Sequence, residues 1–113
     1  MLTDAVTNRS SPFRIPVFSC GSENDIESRI VVLRKSDKQN NLVQFHSDIR
    51  SDKIKILRKN SNSSMLFYDK DEKIQVRLKV DCIINHKNDV LDVLAPILVN
   101  ISIWKIHLNI NFI

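Results

Sequence analysis

The ten residues KIQVRLKVDC, from Lys73 to Cys82, alternate between polar and apolar side chains. Because neighbouring side chains of a β-strand project to opposite faces, this pattern predicts a strand with one face in the core and the other in water. The expected core face carries Ile74, Val76, Leu78, Val80 and Cys82, and the expected polar face carries Lys73, Gln75, Arg77, Lys79 and Asp81.

Other segments around this strand also have the composition of strands. SRIVVLRK, from residue 28 to 35, is rich in β-branched residues and is predicted to be a buried strand. After a turn, LVQFHSD (residues 42–48) is predicted to complete a hairpin with it, with Val43, Phe45 and Ser47 on one face and Leu42, Gln44 and His46 on the other. MLFYD (65–69) and RIPVFSC (14–20) are predicted to form further strands. These segments indicate a mainly β fold, largely antiparallel, with short helices.

One segment between the predicted strands has a helical pattern instead. From Ser51 to about Lys59, Ile54 and Leu57 lie one helical turn apart and are expected to be buried. A second helix is expected after Asn88. The helix from Ser51 is expected to turn its basic residues to water: Lys53, Lys55, Arg58 and Lys59.

The junction FHSDIRSDK, from Phe45 to Lys53, crowds hydroxyl and cationic side chains together. If Ser51 caps the helix, the first-turn amides have no intrahelical acceptor and attract an anion. Ser47, Arg50 and Lys53 add further donors, a combination suited to a phosphate group. The alternative is that Ser51 is only a cap and that the basic residues only solubilise the helix.

Length and composition narrow the classes of function. At 113 residues the chain is expected to form one small domain, and its net charge of +4 is spread among acidic residues as on a solvated surface. A nucleic-acid binder is a weak alternative, because no recognition motif or ordered set of exposed aromatic residues accompanies the charge. The apolar stretch from Val93 to Trp104 is too short for a membrane span.

The cysteines and histidines do not form a recognisable site. Cys20 and Cys82 lack C-x-x-C spacing, and no signal peptide precedes them, so we expect a reduced, cytoplasmic setting with both as small buried residues. The three histidines lack metal-ligand spacing, and no metal site is predicted.

Four short motifs follow one another along the chain: RIVVLR (29–34), FHSDIRSDK (45–53), LFYD (66–69) and IQVRL (74–78). In this order and at these intervals they resemble the pyridoxamine 5'-phosphate oxidase family, whose members look like R-x-V-V-L-R, F-H-T-D-x-R-S-x-K, F-Y-D and Q-L-R. The resemblance covers residues 2 to 89. It implies an FMN-binding split β-barrel of antiparallel Greek-key type and a homodimer with FMN at the interface.

By position, the resemblance also implies a set of cofactor-binding residues. The RIVVLR segment would lie along the ribityl phosphate and the ring edge, the serine-rich junction would receive the phosphate, and the glutamine of IQVRL would approach the isoalloxazine. The implied FMN-binding residues are Arg29, Val31, Leu33, Arg34, His46, Ser47, Arg50, Ser51, Lys53, Gln75 and Arg77. An oxidoreductase that passes a hydride between a small-molecule substrate and the flavin is expected, with no catalytic side chain nominated.

The chain departs from the family pattern in three places. Ser47 replaces a threonine but keeps the hydroxyl, Val80 stands where relatives commonly have a glycine, and no arginine follows Arg77. We therefore predict a split-barrel core over residues 1–92 and a divergent C-terminal tail over residues 93–113. The alternative function is a truncated, inactive family member that retains flavin binding or only the fold, with the barrel incomplete.

The tail has its own alternating pattern from Trp104 to Phe112. This pattern would suit an edge strand or an exposed segment prone to aggregation. It is also compatible with a tail that is foreign to the fold.

Overall fold

The computed structural model describes residues 2–22, 24–85 and 94–108. Within these ranges the chain is mainly β, as predicted, with two short helices. The helices are α1 (Leu2–Thr7) and α2 (Asp52–Lys59). The strands are β1 (Val17–Ser22), β2 (Asp25–Ile30), β3 (Lys35–Asp37), β4 (Leu42–Asp48), β5 (Asn62–Asp69), β6 (Ile74–Ile84) and β7 (Leu94–Leu108).

The strands form one antiparallel sheet in the order β2-β1-β5-β6-β7-β4-β3. The two edge strands, β2 and β3, are consecutive in the chain and are joined by residues 31–34. This link bends the sheet towards a barrel, although the described strands β2 and β3 are not paired with each other. Backbone amides of the link donate to both sides of the bend: Val31 to Pro16 O (3.0 Å), Leu33 to Arg14 O (2.9 Å) and Arg34 to Gln44 O (2.8 Å).

The core lies inside the bend. The rings of Phe18 in β1 and Phe45 in β4 are 4.9 Å apart, although β5, β6 and β7 separate these strands in the sheet. Ile54 and Leu57 of α2 are also buried in this core. Because burying such side chains removes apolar area from water, the contact between distant strands stabilises the curvature.

The alternating patterns in β4 and β6 are confirmed. In β6 the predicted core face is buried from Val76 to Cys82, whereas Arg77, Lys79 and Asp81 are exposed. In β4, Val43, Phe45 and Ser47 share one face, as predicted, and that face is buried.

The prediction of one continuous strand from residue 28 to 35 is wrong. β2 ends at Ile30 and β3 begins at Lys35, because the four residues between them cross from one side of the bend to the other. Val31 and Leu33 are buried as predicted, but Ser28 and Arg29 are exposed. The hairpin is confirmed where β3 pairs with β4.

The C-terminal strand lies inside the sheet. β7 pairs with β6 along most of its length and with β4 through residues 94–100, so this half is a central strand rather than an edge. Residues 101–108 pair with β6 beyond the end of β4. The helix expected after Asn88 falls partly on residues 88–93, which lie outside the described residues, and from Leu94 onward the chain is a strand.

Neither of the two described helices has the length and the apolar character needed to cross a membrane.

Two turns of the sheet place a residue other than glycine at positive φ. Asn41 (φ 58°) precedes β4, as the asparagine-rich turn suggests, and Lys73 (φ 55°) precedes β6.

Candidate functional site

The junction between β4 and α2 brings two serine hydroxyls together. Ser47 is 3% exposed on the core face of β4, and Ser51 holds the N-cap position of α2 with an extended backbone. The Ser51 side chain makes no capping hydrogen bond, and its Oγ lies 3.2 Å from the Oγ of Ser47. Because an α-helix has no internal acceptor for its first amides, this hydroxyl pair stands beside backbone donors. The predicted junction is thus a local cluster of hydrogen-bond donors.

Lys53 is buried, which contradicts the prediction that it faces water. The residue is 8% exposed, because α2 packs on β1 with Lys53 and Ile54 on the covered side of the helix. Burial lowers the pKa of Lys53, since desolvation disfavours the charged ammonium. The nearby positive charge of Arg29 lowers this pKa further, and Glu27 and Asp48 partly oppose the effect.

Arg29 approaches Lys53 from the edge strand β2. Its register partner is Phe18 of β1, a core residue, so Arg29 lies on the side of β2 that faces the core. Its guanidinium forms an ion pair with the carboxylate of Glu27, and the two side chains are 48% and 19% exposed. Two cations that are distant in sequence therefore interact unfavourably, and Lys53 follows Ser51 by two residues at the start of α2.

Arg50 is held by an acid of the same junction. Its Nε and Nη2 donate to the two carboxylate oxygens of Asp48 at 3.0 and 2.8 Å, and its backbone amide donates to Oδ1 at 2.9 Å. These hydrogen bonds lower the pKa of Asp48 to about 2. The charge of Arg50 is thus compensated locally by Asp48.

The link between β2 and β3 separates its residues into two environments. Val31 and Leu33 are buried in the core. Arg34 is exposed and lines a hollow of about 620 Å³ with α1 and β3, including Lys35 and Lys38. None of the described residues lining that hollow belongs to the β4–α2 junction.

The remaining predicted residues lie on the outer face of the sheet. His46 is exposed on β4, where its Nε2 is 3.1 Å from the Gln44 amide nitrogen. Gln75 is half-buried and Arg77 is exposed on β6, opposite the core face of that strand. Arg77 lines a hollow of about 240 Å³ with residues of β1 and β5. One chain therefore divides the predicted residues between two faces of its sheet.

The sequence interpretation missed the acidic partners of Arg29 and Arg50 and the burial of Lys53. Glu27 precedes Arg29 by two residues, a spacing that puts both on one face of a strand and could have signalled the ion pair. Asp48 likewise precedes Arg50 by two residues at a turn. Lys53 lies four residues before Leu57, which places it on the same helical face as that buried residue.

The two cysteines agree with the sequence prediction. Both are free and buried. Burial raises the pKa of the Cys82 thiol to about 12, so it stays protonated at neutral pH.

Comparison with protein families finds one matching model. It is described as "Pyridoxamine 5'-phosphate oxidase, FMN-binding domain", and it matches residues 1–86. A search among curated proteins finds no match.

Solved structures with the same fold include three from bacteria. A protein from Clostridium acetobutylicum, related to general stress protein 26 and placed in the pyridoxinephosphate oxidase family, is similar with a TM-score of 0.73 and 13% identity over 96% of this chain and 91% of that one. General stress protein 26 from Bacillus anthracis is similar with a TM-score of 0.68 and 16% identity, over 93% of this chain and 92% of that one. A pyridoxamine 5'-phosphate oxidase-related, FMN-binding protein from Nostoc punctiforme is similar with a TM-score of 0.64 and 18% identity over 79% of this chain. This chain spans 46% of the Nostoc protein. The architecture is thus a split barrel, as expected.

Proposed function

Because the chain belongs to the pyridoxamine 5'-phosphate oxidase family of FMN-binding domains, we propose that it binds FMN and holds the phosphate where β4 meets α2. One observation carries this proposal. Lys53, a buried residue two positions after Ser51, interacts unfavourably with a second cation, Arg29, and the Ser51 hydroxyl lies 3.2 Å from the Ser47 hydroxyl.

The donor set fits a phosphate group. Two neighbouring like charges are unfavourable unless an anion joins them, and a phosphate offers several acceptor oxygens for the ammonium, the guanidinium and the hydroxyls. Amides at the start of α2 favour negative charge at the same place. Arg50 contributes less, because Asp48 already occupies its donor fork.

The rest of the cofactor would require residues from elsewhere in the fold. Val31 and Leu33 adjoin Arg29 along the chain and offer an apolar border. Gln75, Arg77 and His46 lie on the outer face, away from the junction of the same chain. This division supports a homodimer in which FMN lies between the junction of one copy and the outer face of the other. Arg34 would lie at the edge of this FMN site.

When bound, FMN supplies the ring that accepts or donates a hydride. The chain itself would contribute binding and orientation: Lys53 and Arg29 hold the phosphate, and Gln75 orients the ring by hydrogen bonding. We propose an oxidoreductase acting on a small molecule in the cytoplasm. The alternative is an inactive member that binds flavin, because the family match ends at residue 86 and no arginine follows Arg77.

The binding proposal is tested by titrating the purified protein with FMN and with riboflavin, which lacks the phosphate, while flavin fluorescence is followed. We expect FMN to bind at least about 10-fold more tightly than riboflavin, from one or more charge-assisted hydrogen bonds. Arg29→Met should remove much of this difference. Arg58→Met, at the exposed end of α2, is the matched control and should not. Equal binding of the two flavins by the unmodified protein would refute the phosphate site.

Activity and assembly require separate measurements. Flavin-loaded protein is mixed without oxygen with pyridoxamine 5'-phosphate as the first probe substrate, and loss of the flavin absorbance is followed. Bleaching that depends on the probe supports the oxidoreductase, whereas binding without bleaching across small-molecule donors supports the inactive alternative. The mass in solution, measured with and without FMN, tests the homodimer.

A further inference from the structure

The edge strand β2 carries a carboxylate on the face that looks towards the cations. Glu27 and Arg29 are two residues apart, so their side chains project from the same face. Their register partners, Cys20 and Phe18, are both core residues. The opposite face of β2 carries three exposed residues: Ile26, Ser28 and Ile30. The Glu27 side chain is therefore on the side where α2 packs.

Glu27 interacts with both cations of the candidate phosphate site. Its carboxylate forms the ion pair with Arg29 and is only 19% exposed. Its negative charge also opposes the lowering of the Lys53 pKa and contributes to the raised pKa of the Cys20 thiol. One carboxylate thus supplies the counter-charge for two cations that otherwise repel each other.

A bound phosphate would need the same donors that Glu27 uses. A guanidinium presents five N–H donors in one plane, and these match a carboxylate as well as a phosphate. The donors of Arg29 that hold Glu27 are not available to a phosphate at the same time. In addition, the phosphate and the Glu27 carboxylate would repel each other in a partly buried site, where charges are weakly screened. Full engagement of Arg29 by phosphate therefore requires Glu27 to leave.

We propose that Glu27 is an internal competitor for the phosphate site: its carboxylate occupies Arg29 in the ligand-free chain, weakens phosphate binding and is displaced by the ligand. The identity of the ligand as FMN rests on the proposed function, but the competition itself concerns any phosphate. Glu27 would set the affinity of the site without contacting the flavin ring.

The test compares Glu27→Gln with the unmodified protein, using inorganic phosphate and FMN as separate probes. Glutamine keeps the length of the side chain and removes its charge. We expect the Kd for each probe to fall by about 10-fold, as for the release of one charge-assisted hydrogen bond. Glu72→Gln, in the exposed turn before β6, removes the same charge elsewhere and should leave both affinities unchanged. Melting in phosphate-free buffer verifies that each variant is folded.

A double-mutant cycle with Arg29→Met identifies the contact. If Glu27 acts mainly by occupying Arg29, Glu27→Gln should improve phosphate binding much less once Arg29 is methionine. An undiminished gain there would show general charge repulsion and would overturn the proposal. Equal phosphate affinity of the unmodified protein and Glu27→Gln would also overturn the proposal, whether or not the affinity for FMN changes. A gain for phosphate with no binding of FMN would instead reject FMN as the ligand and retain the competition.

Discussion

Replacing Lys53 by methionine should stabilise the ligand-free protein and weaken FMN binding at the same time. Methionine has nearly the length of the lysine stem and can fill the same space between α2 and β1 without a charge. The net environment of Lys53 disfavours its charged form, because burial and Arg29 outweigh Glu27 and Asp48. The substitution removes that unfavourable charge and keeps the packing.

The size of the gain follows from the burial of the side chain. Removing a desolvated charge from a site that is 8% exposed is expected to stabilise the fold by about 1 kcal/mol, at the low end for buried charges replaced by apolar groups. Unfolding entropy of about 2.1 cal/mol/K per residue makes this equivalent to a rise of about 4 °C in Tm for a domain of this size. Differential scanning calorimetry in phosphate-free buffer measures it.

The contribution of Lys53 to the free energy of unfolding should depend on pH in a defined direction. The pKa of Lys53 is lowered from 10.5 in the folded chain, so between the folded value and 10.5 the unfolded chain binds more protons. Stability contributed by this group therefore rises with pH across that window. Below the folded pKa both states are charged and the penalty is constant. The unmodified protein should show this rise, and Lys53→Met should lack it.

The same substitution should weaken FMN binding, although it stabilises the fold. Loss of a charge-assisted hydrogen bond of about 1.5–3 kcal/mol should raise the Kd for FMN about 10- to 150-fold and leave the Kd for riboflavin unchanged. Lys55→Met, two residues along the same helix and exposed, is the matched control and should change neither quantity. If Lys53→Met lowers Tm, or if both variants lose the same FMN affinity, the reasoning from the buried charge is refuted.

Three further outcomes are expected. The Asp48–Arg50 interaction should stabilise the fold fully above pH about 3.8, the ordinary pKa of aspartate, and this stabilisation should be lost as the pH falls through about 2. NMR of the carboxyl carbon should show that Asp48 titrates with a pKa of about 2. Phe45→Ala should lower the free energy of unfolding by about 3–5 kcal/mol, measured by urea denaturation, because the ring is fully buried between distant strands. A chain ending at residue 92 lacks β7, which separates β6 from β4; it should show no cooperative thermal transition, and a folded product would indicate a core that is independent of the tail.

Local patterns predicted the elements that are regular along the chain. The alternation in β4 and β6 and the short helix after Ser51 are visible because side-chain direction in a strand or helix repeats with a fixed period. The serine-rich junction was also evident, since its residues are contiguous. The proximity of Arg29 and Lys53 came only as an implication of the family resemblance, because twenty-three residues and a turn of the sheet separate them in the chain.

The interruption of the segment from Ser28 to Lys35 could not be read from its β-branched residues. Those residues favour extended backbone in a strand and in a crossing link alike, and only the acceptors of Val31, Leu33 and Arg34 distinguish the two. Similarly, the composition of the C-terminal segment suits an edge strand or a central strand. Residues 94–100 pair with both β4 and β6, whereas residues 101–108 pair with β6 alone among the described strands.

The amino-acid sequence by itself determined the mainly β character, the faces of the strands, the helix after Ser51 and the family motifs, because these depend on residues close together in the chain. The tertiary structure decided which charges meet. It buried Lys53, brought Arg29 and Glu27 near it and placed Arg34 at a different hollow, with α1 and β3. The physical reason is that burial and electrostatic interaction depend on distance in space, which the bending of the sheet sets.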